Sequence, residues 1–300
     1  MNSPAFIGVD IGGTKIAVAA VQNSGRILAR TEFPTEAEQG FDRAVQRLAN
    51  AIERVTGQAG ASGLAGIGIG CAGPVDSLLG LINNPFTLTG WNHCDIVRPL
   101  RERFQVPVQL ENDADAAALG ECWVGAGQQA SPVVMLTFGT GVGGATILGN
   151  QVLRGSRGEH PELGHVPVDP AGPSCYCGIQ GCLESVASGS AIGDAGRSVG
   201  LRDAREVFEA ARRGHGQAQG IVQRAVEAAS TAAWTLFHAL LPQRLILGGG
   251  IMDSEFDLFA APMRARIARA TQFTPSAVEI VPARLGNDAG IVGAASLVRG

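Results

Sequence analysis

The sequence predicts a two-domain α/β protein. Its 300 residues are enough for about two domains. A composition with 45% hydrophobic and 17% charged residues is typical of a globular chain that buries a sizeable core. Some apolar runs return through glycine-rich turns as further strands, whereas others lead directly into helix-prone segments. This alternation indicates strands and helices in mixed order.

Two glycine-rich stretches share one pattern. In FIGVDIGGTKIAVAAV (6–21) and VVMLTFGTGVGGATIL (133–148), an apolar run enters a Gly/Thr turn and an equally β-prone run leaves it. Each stretch predicts a β-hairpin with a glycine-rich tip. The second contains GxGxxG at Gly139, Gly141 and Gly144, but a dinucleotide fingerprint requires a helix to begin at the third glycine, and GATIL continues as a strand. We therefore predict no Rossmann site.

The tips of these hairpins are candidate phosphate-binding turns, because glycine lets backbone N–H groups approach an anion closely and nearby hydroxyls add donors. Either hairpin alone is more often a structural turn, and it is their pairing, together with a lysine at the first tip, that favours a phosphate clamp. The candidate residues are Gly12, Gly13, Thr14, Thr137, Thr140 and Gly141.

Two charged residues mark the first tip. Lys15 is the only lysine in the chain and lies at the tip itself. Asp10 precedes it by one turn of the backbone. Because a carboxylate would repel a phosphate unless a cation lies between them, Asp10 is a candidate Mg²⁺ ligand, acting through water.

Between the hairpins, PVQLENDADAAALGECW (107–123) passes from an apolar run to an alanine-rich segment. This change predicts that Asn112 and Asp113 end a strand where a helix begins. One interpretation is structural, since Asp is a favoured N-cap. The other is catalytic: a carboxylate at the mouth of a cleft, oriented by Asn112, that takes a proton from a substrate hydroxyl.

A third glycine cluster, LILGGGI (245–251), follows a helical segment, GIVQRAVEAASTAAWTLFHALLP, and precedes another, SEFDLFAAPMRARIARA. The order predicts a strand, a glycine turn and a helix. At such a corner, around Gly249, a nucleoside could bind.

Three cysteines lie within eight residues in GPSCYCGIQGCLE (172–184). The N-terminus has neither a basic region nor an apolar run of signal length, so we expect a cytosolic protein whose thiols stay reduced. Close cysteine spacing then indicates metal ligands or a redox group more readily than disulfides. A zinc-ribbon interaction module is a weaker alternative, because ribbons pair two CxxC-type knuckles and this sequence has a single cysteine cluster. We expect the scattered Cys71, Cys94 and Cys122 to be buried as small hydrophobic residues.

Net charge restricts the partners of the protein. The formal charge is −4 and no basic run is present, so nothing attracts nucleic acid or an anionic membrane. No apolar stretch is long enough to span a bilayer.

Five motifs in order, GVDIGGTK, END, TFGTGVGG, ELGH (162–165) and CYCGIQGCLE, resemble the ROK family of bacterial sugar kinases, open reading frames and repressors over essentially the whole chain. The resemblance implies an actin-like ATPase fold, in which two ribonuclease H-like α/β domains close over a cleft. The first would comprise residues 1–117 completed by 287–300, and the second residues 118–286. A homodimer is also implied.

The resemblance also assigns the remaining site. His165 would join Cys175, Cys177 and Cys182 in a closed Cys3His site suited to structural Zn²⁺. Glu162, His165 and Glu184 would contact the sugar ring, Asn112 and Asp113 would bind near the reacting hydroxymethyl, and Gly73 would line the site. The repressors of the family carry a DNA-binding domain ahead of the first phosphate motif, and only seven residues precede Gly8 here. We therefore expect an enzyme rather than a sugar-responsive regulator.

The expected reaction is Mg-ATP-dependent phosphorylation of a hexose at O6, with glucose as the first choice and N-acetylmannosamine or N-acetylglucosamine as alternatives. Two departures from the family pattern concern the choice of sugar. Thr87, in TLTGW (87–91), replaces an asparagine of many glucose-phosphorylating members, and His160 and Pro161 replace small residues before ELGH.

Overall fold

The computed structural model describes residues 4–270 and 278–299. The strands are β1 (Ala5–Ile11), β2 (Lys15–Val21), β3 (Ile27–Pro34), β4 (Leu64–Cys71), β5 (Val75–Asp76), β6 (Leu81–Asn83), β7 (Asn92–Asp95), β8 (Val108–Asn112), β9 (Val133–Phe138), β10 (Val142–Leu148), β11 (Gln151–Val152), β12 (Arg244–Gly248) and β13 (Glu279–Pro282). The helices are α1 (Phe41–Ala59), α2 (Val97–Phe104), α3 (Asp113–Val124), α4 (Leu183–Ala187), α5 (Gly189–Arg197), α6 (Ala204–Arg212), α7 (Gly216–Leu240), α8 (Met252–Ile267) and α9 (Ala289–Ser296).

The described chain forms two compact units. One is drawn from Met1–Gln129, Asn150–Pro161 and Asn287–Gly300, and the other from Ala130–Gly149 and Glu162–Gly286. The predicted division at residue 117 would fall inside α3. The first unit continues to Gln129 because α3 packs against α9, so that the whole helix belongs with the C-terminal segment.

The first unit contains a five-stranded sheet in the order β3–β2–β1–β4–β8. β1 is antiparallel to β2 and parallel to β4, and β4 is parallel to β8. One face packs against α1 and α2 through isoleucine, leucine and valine side chains. A small antiparallel sheet of β5, β6 and β7 lies in the same unit.

The other face of this sheet is a stripe of glycines. In LAGIGIGC of β4, isoleucines alternate with glycines, and alternate residues of a strand point to opposite faces. Gly8 of β1 pairs with Gly68 of β4. A Cβ at these positions would lie 1.9 Å from the Ile291 carbonyl oxygen and 1.7 Å from that of Ala294. The alternating sequence therefore builds a core on one face and lets the backbone of α9 lie directly on the other.

Four strands of the second unit follow the same order as four strands of the first. β10–β9–β12–β13 matches β2–β1–β4–β8, with β9 antiparallel to β10 and parallel to β12, and β12 parallel to β13. Its core is formed by these strands with α4 to α8, and includes the ring of Phe259 in tilted contact with those of Phe138 and Phe208.

Several predicted elements are confirmed. Both glycine-rich stretches are antiparallel hairpins, β1–β2 and β9–β10. The β8–α3 and β12–α8 corners lie where the sequence placed them. In the part of the chain that the structure describes, no helix combines the length and the apolar character needed to cross a membrane.

Candidate active site

The tip of the first hairpin is a short glycine turn held by backbone hydrogen bonds. The Gly12 N–H donates to the Lys15 carbonyl at 3.0 Å, and the Thr35 hydroxyl donates to the Gly12 carbonyl at 2.7 Å. Gly13, Thr14 and Lys15 are exposed, as a turn that binds a phosphate requires.

Asp10 lies at the end of β1, below this turn. Its carboxylate faces the first turn of α9, where a Cβ on Gly290 would come within 3.0 Å of the carboxyl carbon. Burial raises the pKa of Asp10, and the charges of Lys15 and Arg30 offset part of that rise. A partly buried carboxylate beside an exposed glycine turn is a suitable oxygen ligand for a divalent cation.

The β8–α3 corner presents Asn112 and Asp113 with separate roles. Asn112 is the N-cap of α3, because its Oδ1 accepts hydrogen bonds from the backbone N–H groups of Ala114 and Asp115. Asp113 is the first residue of the helix, and its Oδ1 accepts from the Ala114 N–H at 2.8 Å. The sequence left the choice between cap and catalytic carboxylate open; here the asparagine caps the helix and leaves the Asp113 carboxylate available for chemistry.

The Asp113 carboxylate is the most strongly perturbed acid of this corner. Burial, reinforced by the negative charge of Asp10, raises its pKa to about 6, while the Ala114 N–H and His160 act in the opposite direction. A carboxylate with a pKa close to neutral accepts a proton from a hydroxyl more effectively than an ordinary aspartate does.

Gly73 and Thr87 lie beside this machinery. A Cβ on Gly73 would lie 2.8 Å from Nδ2 of Asn112, so only glycine fits against that amide. Thr87 lies against the glycine turn of the first hairpin, where a Cβ on Gly13 would come within 3.1 Å of it.

Asn84 was missed in the sequence although it holds this region together. It is buried, its Nδ2 donates to the Ala72 carbonyl at 3.0 Å and to the Thr87 hydroxyl at 2.7 Å, and its Oδ1 accepts from the Thr87 N–H. The Asn-x-x-Thr spacing in NNPFT is the local signal that predicts such an Asx turn.

Two buried acids that flank Asp113 were also missed. Glu111 accepts from the Ser77 hydroxyl and from the Asn112 N–H, and it pairs with Arg154. Asp115 is fully buried and lies 2.8 Å from Nδ1 of His160, while its Oδ1 has no hydrogen-bond partner. Neither partner could be inferred from spacing, because Arg154 and His160 lie about 40 residues further along the chain.

The tip of the second hairpin is tied to the region that carries Glu184. The Val142 N–H donates to Oε2 of Glu184 at 2.9 Å, and a Cβ on Gly141 would lie 2.5 Å from the same oxygen. The carbonyls of Gly139 and Thr140 accept from the first N–H groups of α5. Glycine at 141 therefore lets the acid reach the turn, and Thr140 remains exposed at the tip.

Gly249 brings the third glycine cluster against the same hairpin. It adopts φ +87°, and a Cβ there would lie 2.5 to 2.7 Å from backbone atoms of Phe138. The Ile251 N–H donates to the Phe138 carbonyl at 3.0 Å. The predicted corner thus lies next to the second glycine tip, with Gly249 required both by its left-handed backbone and by the close approach.

His165, Cys175, Cys177 and Cys182 converge, as the resemblance implied. One ligand atom from each lies within 4.8 Å of the others, with Nδ1 of His165 3.5 Å from the Cys175 sulfur and the Cys177 and Cys182 sulfurs 3.3 Å apart. The Ile179 N–H lowers the pKa of Cys177, which favours the thiolate that binds metal. Three sulfurs and one imidazole at these separations fit a tetrahedral zinc site with bonds of about 2.0–2.3 Å.

Glu162 and Tyr176 lie near this cluster. Glu162 is exposed and precedes the 3-10 turn Leu163–His165, which packs closely on β10, where a Cβ on Gly164 would lie 2.0 Å from the Val142 carbonyl oxygen. The Tyr176 hydroxyl lies 3.1 Å from Nε2 of His165. Partial burial and the negative charges of Glu184 and Glu162 raise the pKa of Tyr176.

The expectation for the scattered cysteines is only partly correct. Cys71 is buried at the end of β4, but Cys94 and Cys122 are both partly exposed. Cys94 lies in β7, a strand at the edge of the small sheet, and Cys122 lies in α3 near the end of the helix. These positions leave the side chains only one packed side.

The sequence profile of the ROK family matches residues 6–300. The chain belongs to the ROK family. It is 37% identical to a glucokinase of Thermotoga maritima over 98% of this chain and 97% of that one. It is 33% identical to an N-acetylmannosamine kinase of Escherichia fergusonii, over 98% of each chain.

Solved structures of ROK proteins agree with the fold. A ROK hexokinase from Thermus thermophilus is 38% identical with a TM-score of 0.87, over 97% of this chain and 96% of that one. A ROK family glucokinase from Streptomyces griseus, in complex with glucose and AMPPNP, is 34% identical with a TM-score of 0.79, over 98% and 99%. The fold of this ROK protein is therefore that of the actin-like ATPases.

Proposed function

We propose that this ROK protein is an ATP-dependent hexose kinase that phosphorylates O6, with glucose as the preferred sugar. The observation that carries the proposal is the Asp113 carboxylate at the β8–α3 corner, whose pKa of about 6 suits a general base and is raised in part by Asp10, the acid that precedes the exposed glycine turn. Full-length similarity to a glucokinase of Thermotoga maritima supports the same reaction.

Asp113 accepts the proton of the sugar O6 hydroxyl as that oxygen attacks the γ-phosphorus of ATP. The bond from the γ-phosphorus to the β,γ-bridging oxygen breaks, and ADP leaves. Asn112 caps α3 and thereby fixes the backbone from which Asp113 projects. Because phosphoryl transfer involves little covalent chemistry by the protein, placing the base within reach of the hydroxyl is its main task.

The nucleotide phosphates are assigned to Gly12, Gly13, Thr14 and Lys15 in one hairpin and to Thr140 and Gly141 in the other, and the nucleoside to Gly249. The exposed tips and the close approaches that only glycine permits support this assignment. Asp10 would hold Mg²⁺, since burial raises the pKa of its carboxyl group more than the charges of Lys15 and Arg30 lower it, and a divalent cation would stabilise the carboxylate further. When bound, Mg²⁺ neutralises charge that develops on the phosphoryl oxygens.

The sugar ring is assigned to Glu162, His165 and Glu184, with Gly73 and Thr87 lining the pocket. Carboxylates accept hydrogen bonds from ring hydroxyls, and the imidazole Nε2 is directed away from the thiols. His165 and the three cysteines would hold Zn²⁺ with four protein ligands, and an ion held in this way would supply rigidity rather than a reactive group. The donor set and its separations support that metal.

N-acetylmannosamine is the second candidate substrate. Kinases for that sugar are 33% identical to this chain along 98% of its length, and Thr87 is shorter than the asparagine of many glucose-phosphorylating members. The deciding experiment measures ADP release with glucose, N-acetylmannosamine, N-acetylglucosamine, mannose and fructose. The highest kcat/KM for glucose supports our assignment, a higher value for an N-acetylated sugar replaces it with the alternative, and no ADP release above the sugar-free rate refutes the kinase.

We further propose a cytoplasmic homodimer. ATP is a cytoplasmic substrate, and three thiolates that bind a metal require a reducing compartment. The resemblance to ROK kinases favours a dimer. Light scattering on the purified protein tests the assembly, and a monomer at micromolar concentration would refute it.

A further inference from the structure

Tyr176 is placed unusually for an exposed aromatic residue. It lies between the ligands Cys175 and Cys177 and is the only tyrosine in the sequence. The residue is 81% exposed, yet its hydroxyl lies 3.1 Å from Nε2 of His165, and the Glu184 carboxylate is near enough to raise its pKa as a charge and as a hydrogen-bond acceptor. Its ring meets the imidazole edge-on, with centroids 5.0 Å apart. An otherwise solvated side chain is thus anchored by its hydroxyl.

The direction of these hydrogen bonds follows from the groups involved. As a carboxylate, Glu184 only accepts, and it already accepts from the Val142 N–H. The Tyr176 hydroxyl therefore donates to Glu184 and accepts from the Nε2–H of His165. That tautomer leaves the lone pair of Nδ1 on the side of the Cys175 sulfur, where a metal ligand needs it.

A sugar hydroxyl makes the same pair of hydrogen bonds. It donates to a carboxylate and accepts from an imidazole N–H, and we have assigned both His165 and Glu184 to the sugar. We propose that the Tyr176 hydroxyl takes the place of one ring hydroxyl in the sugar-free enzyme, and that the sugar must displace it to bind. This inference rests on the proposed sugar kinase function.

Displacement requires no rearrangement of the core, because the exposed ring can rotate into solvent. The sugar then replaces two hydrogen bonds instead of adding them, which weakens binding and favours sugars with a hydroxyl that both donates and accepts. Tyr176 is therefore a specificity-determining residue, and a sugar that lacks this hydroxyl leaves it in place.

The first test is Tyr176→Phe, which keeps the ring and removes the competing hydroxyl. We expect the sugar KM to fall roughly threefold to tenfold, the effect of one modest hydrogen bond, with kcat within about twofold of wild type. Zinc content, measured on both proteins, should be equal. Gln180→Ala, a change at another exposed position of the same loop, should leave KM unchanged. An unchanged or raised KM in the phenylalanine variant overturns the proposal.

The second test does not depend on turnover. Because the chain has one tyrosine, 3-fluorotyrosine labelling gives a single ¹⁹F resonance from residue 176. Glucose and N-acetylmannosamine are titrated without nucleotide, with binding measured in parallel by calorimetry. We expect the resonance to move in step with sugar binding and to stay fixed with AMPPNP alone. A fixed resonance at calorimetric saturation overturns the proposal, whereas a resonance that shifts with sugar although no sugar of the panel supports ADP release refutes the kinase and retains the role of Tyr176.

Discussion

The charge on Asp113 is unfavourable in the folded protein, because burial and Asp10 raise the pKa of its carboxyl group to about 6. Asp113→Asn removes that charge together with the base. We expect kcat to fall roughly a hundredfold to ten-thousandfold. At pH 7 the same variant should be more stable by about 1–3 kcal/mol, since one pKa unit corresponds to about 1.4 kcal/mol.

The direction of the pKa shift determines the pH range in which the difference in stability should appear. A carboxyl group with a raised folded pKa stabilises the fold most when protonated, below its unfolded pKa, and loses that contribution as pH rises through about 6. The advantage of Asp113→Asn should therefore grow between about pH 4 and 6 and stay constant above, as measured by thermal unfolding without ligands. Asp257→Asn, at an exposed site in α8, serves as the control. A variant within tenfold of wild-type kcat and correctly folded would contradict the role of Asp113.

The same pKa predicts the acid limb of the activity profile. Protonated Asp113 cannot accept the O6 proton, so kcat/KM should fall about tenfold per pH unit below a midpoint near pH 6. Initial rates of ADP release at saturating Mg-ATP between pH 4.5 and 8 measure this. A midpoint near 4, the ordinary value of an aspartate, would show that the base is not in this environment.

His160 and Asp115 form a buried pair next to the catalytic corner. His160→Ala would leave both carboxylate oxygens of Asp115 without a partner, and we expect a loss of about 1–3 kcal/mol in unfolding free energy. Adding Asp115→Ala should restore part of that loss, because the stranded acid is then removed. Arg157→Ala, which breaks an exposed ion pair in the same segment, should change stability by less than about 0.5 kcal/mol. Additive losses in the double variant would argue against a direct pair.

Among the elements, α9 depends on glycine at its interface with α3. A Cβ on Gly293 would lie 1.6 Å from the Ala116 carbonyl oxygen, so Gly293→Ala should force the helices apart and destabilise the protein by about 1–3 kcal/mol. Gly57→Ala makes the same chemical change in an open position of α1, where nothing lies within 4 Å, and should stabilise by up to about 1 kcal/mol. Thermal melts of the two variants decide this. Equal shifts would contradict the close packing.

The elements that the sequence predicted correctly have local causes. The hairpins follow from apolar runs on both sides of glycine turns, and the β8–α3 corner follows from the change of period at Asn112. The family motifs implied that His165 lies with the cysteines, and in the structure one ligand atom from each of the four residues lies within 4.8 Å of the others.

What the sequence did not predict depends on partners that are distant along the chain. In the sequence, Glu111 and Asp115 look like ordinary polar residues near the start of a helix. In the structure both are buried, and they pair with Arg154 and His160. The contact of the Tyr176 hydroxyl with His165 was likewise not predicted, because residue spacing does not determine a side-chain rotamer. The periodicity of a sequence indicates which face of a strand or helix a residue occupies, whereas the partner of that residue depends on how the rest of the chain folds.

At the scale of the whole molecule, the strand order and the glycine hairpin occur once in each unit, whereas among the residues that the structure describes the cysteine cluster lies in the second unit alone. Because of this asymmetry, the nucleotide and the sugar differ in whether their assigned residues include a member of the cysteine cluster. None of the residues assigned to the nucleotide belongs to the cysteine–histidine cluster, whereas His165 belongs both to that cluster and to the proposed sugar site.

Loss of the metal should therefore affect the sugar more than the nucleotide. Cys177→Ser or exhaustive chelation should weaken sugar binding roughly tenfold to hundredfold, because a misplaced His165 no longer meets the ring, and should lower the melting temperature, because thiolate coordination also stabilises the folded loop. AMPPNP affinity should change much less. Separate calorimetric titrations of sugar and AMPPNP, on metal-replete and metal-stripped protein with zinc content verified, measure both, and Cys94→Ser controls for the loss of a thiol outside the cluster. Unchanged sugar affinity after verified zinc loss would show that His165 does not contact the sugar and that the cluster only stabilises its loop.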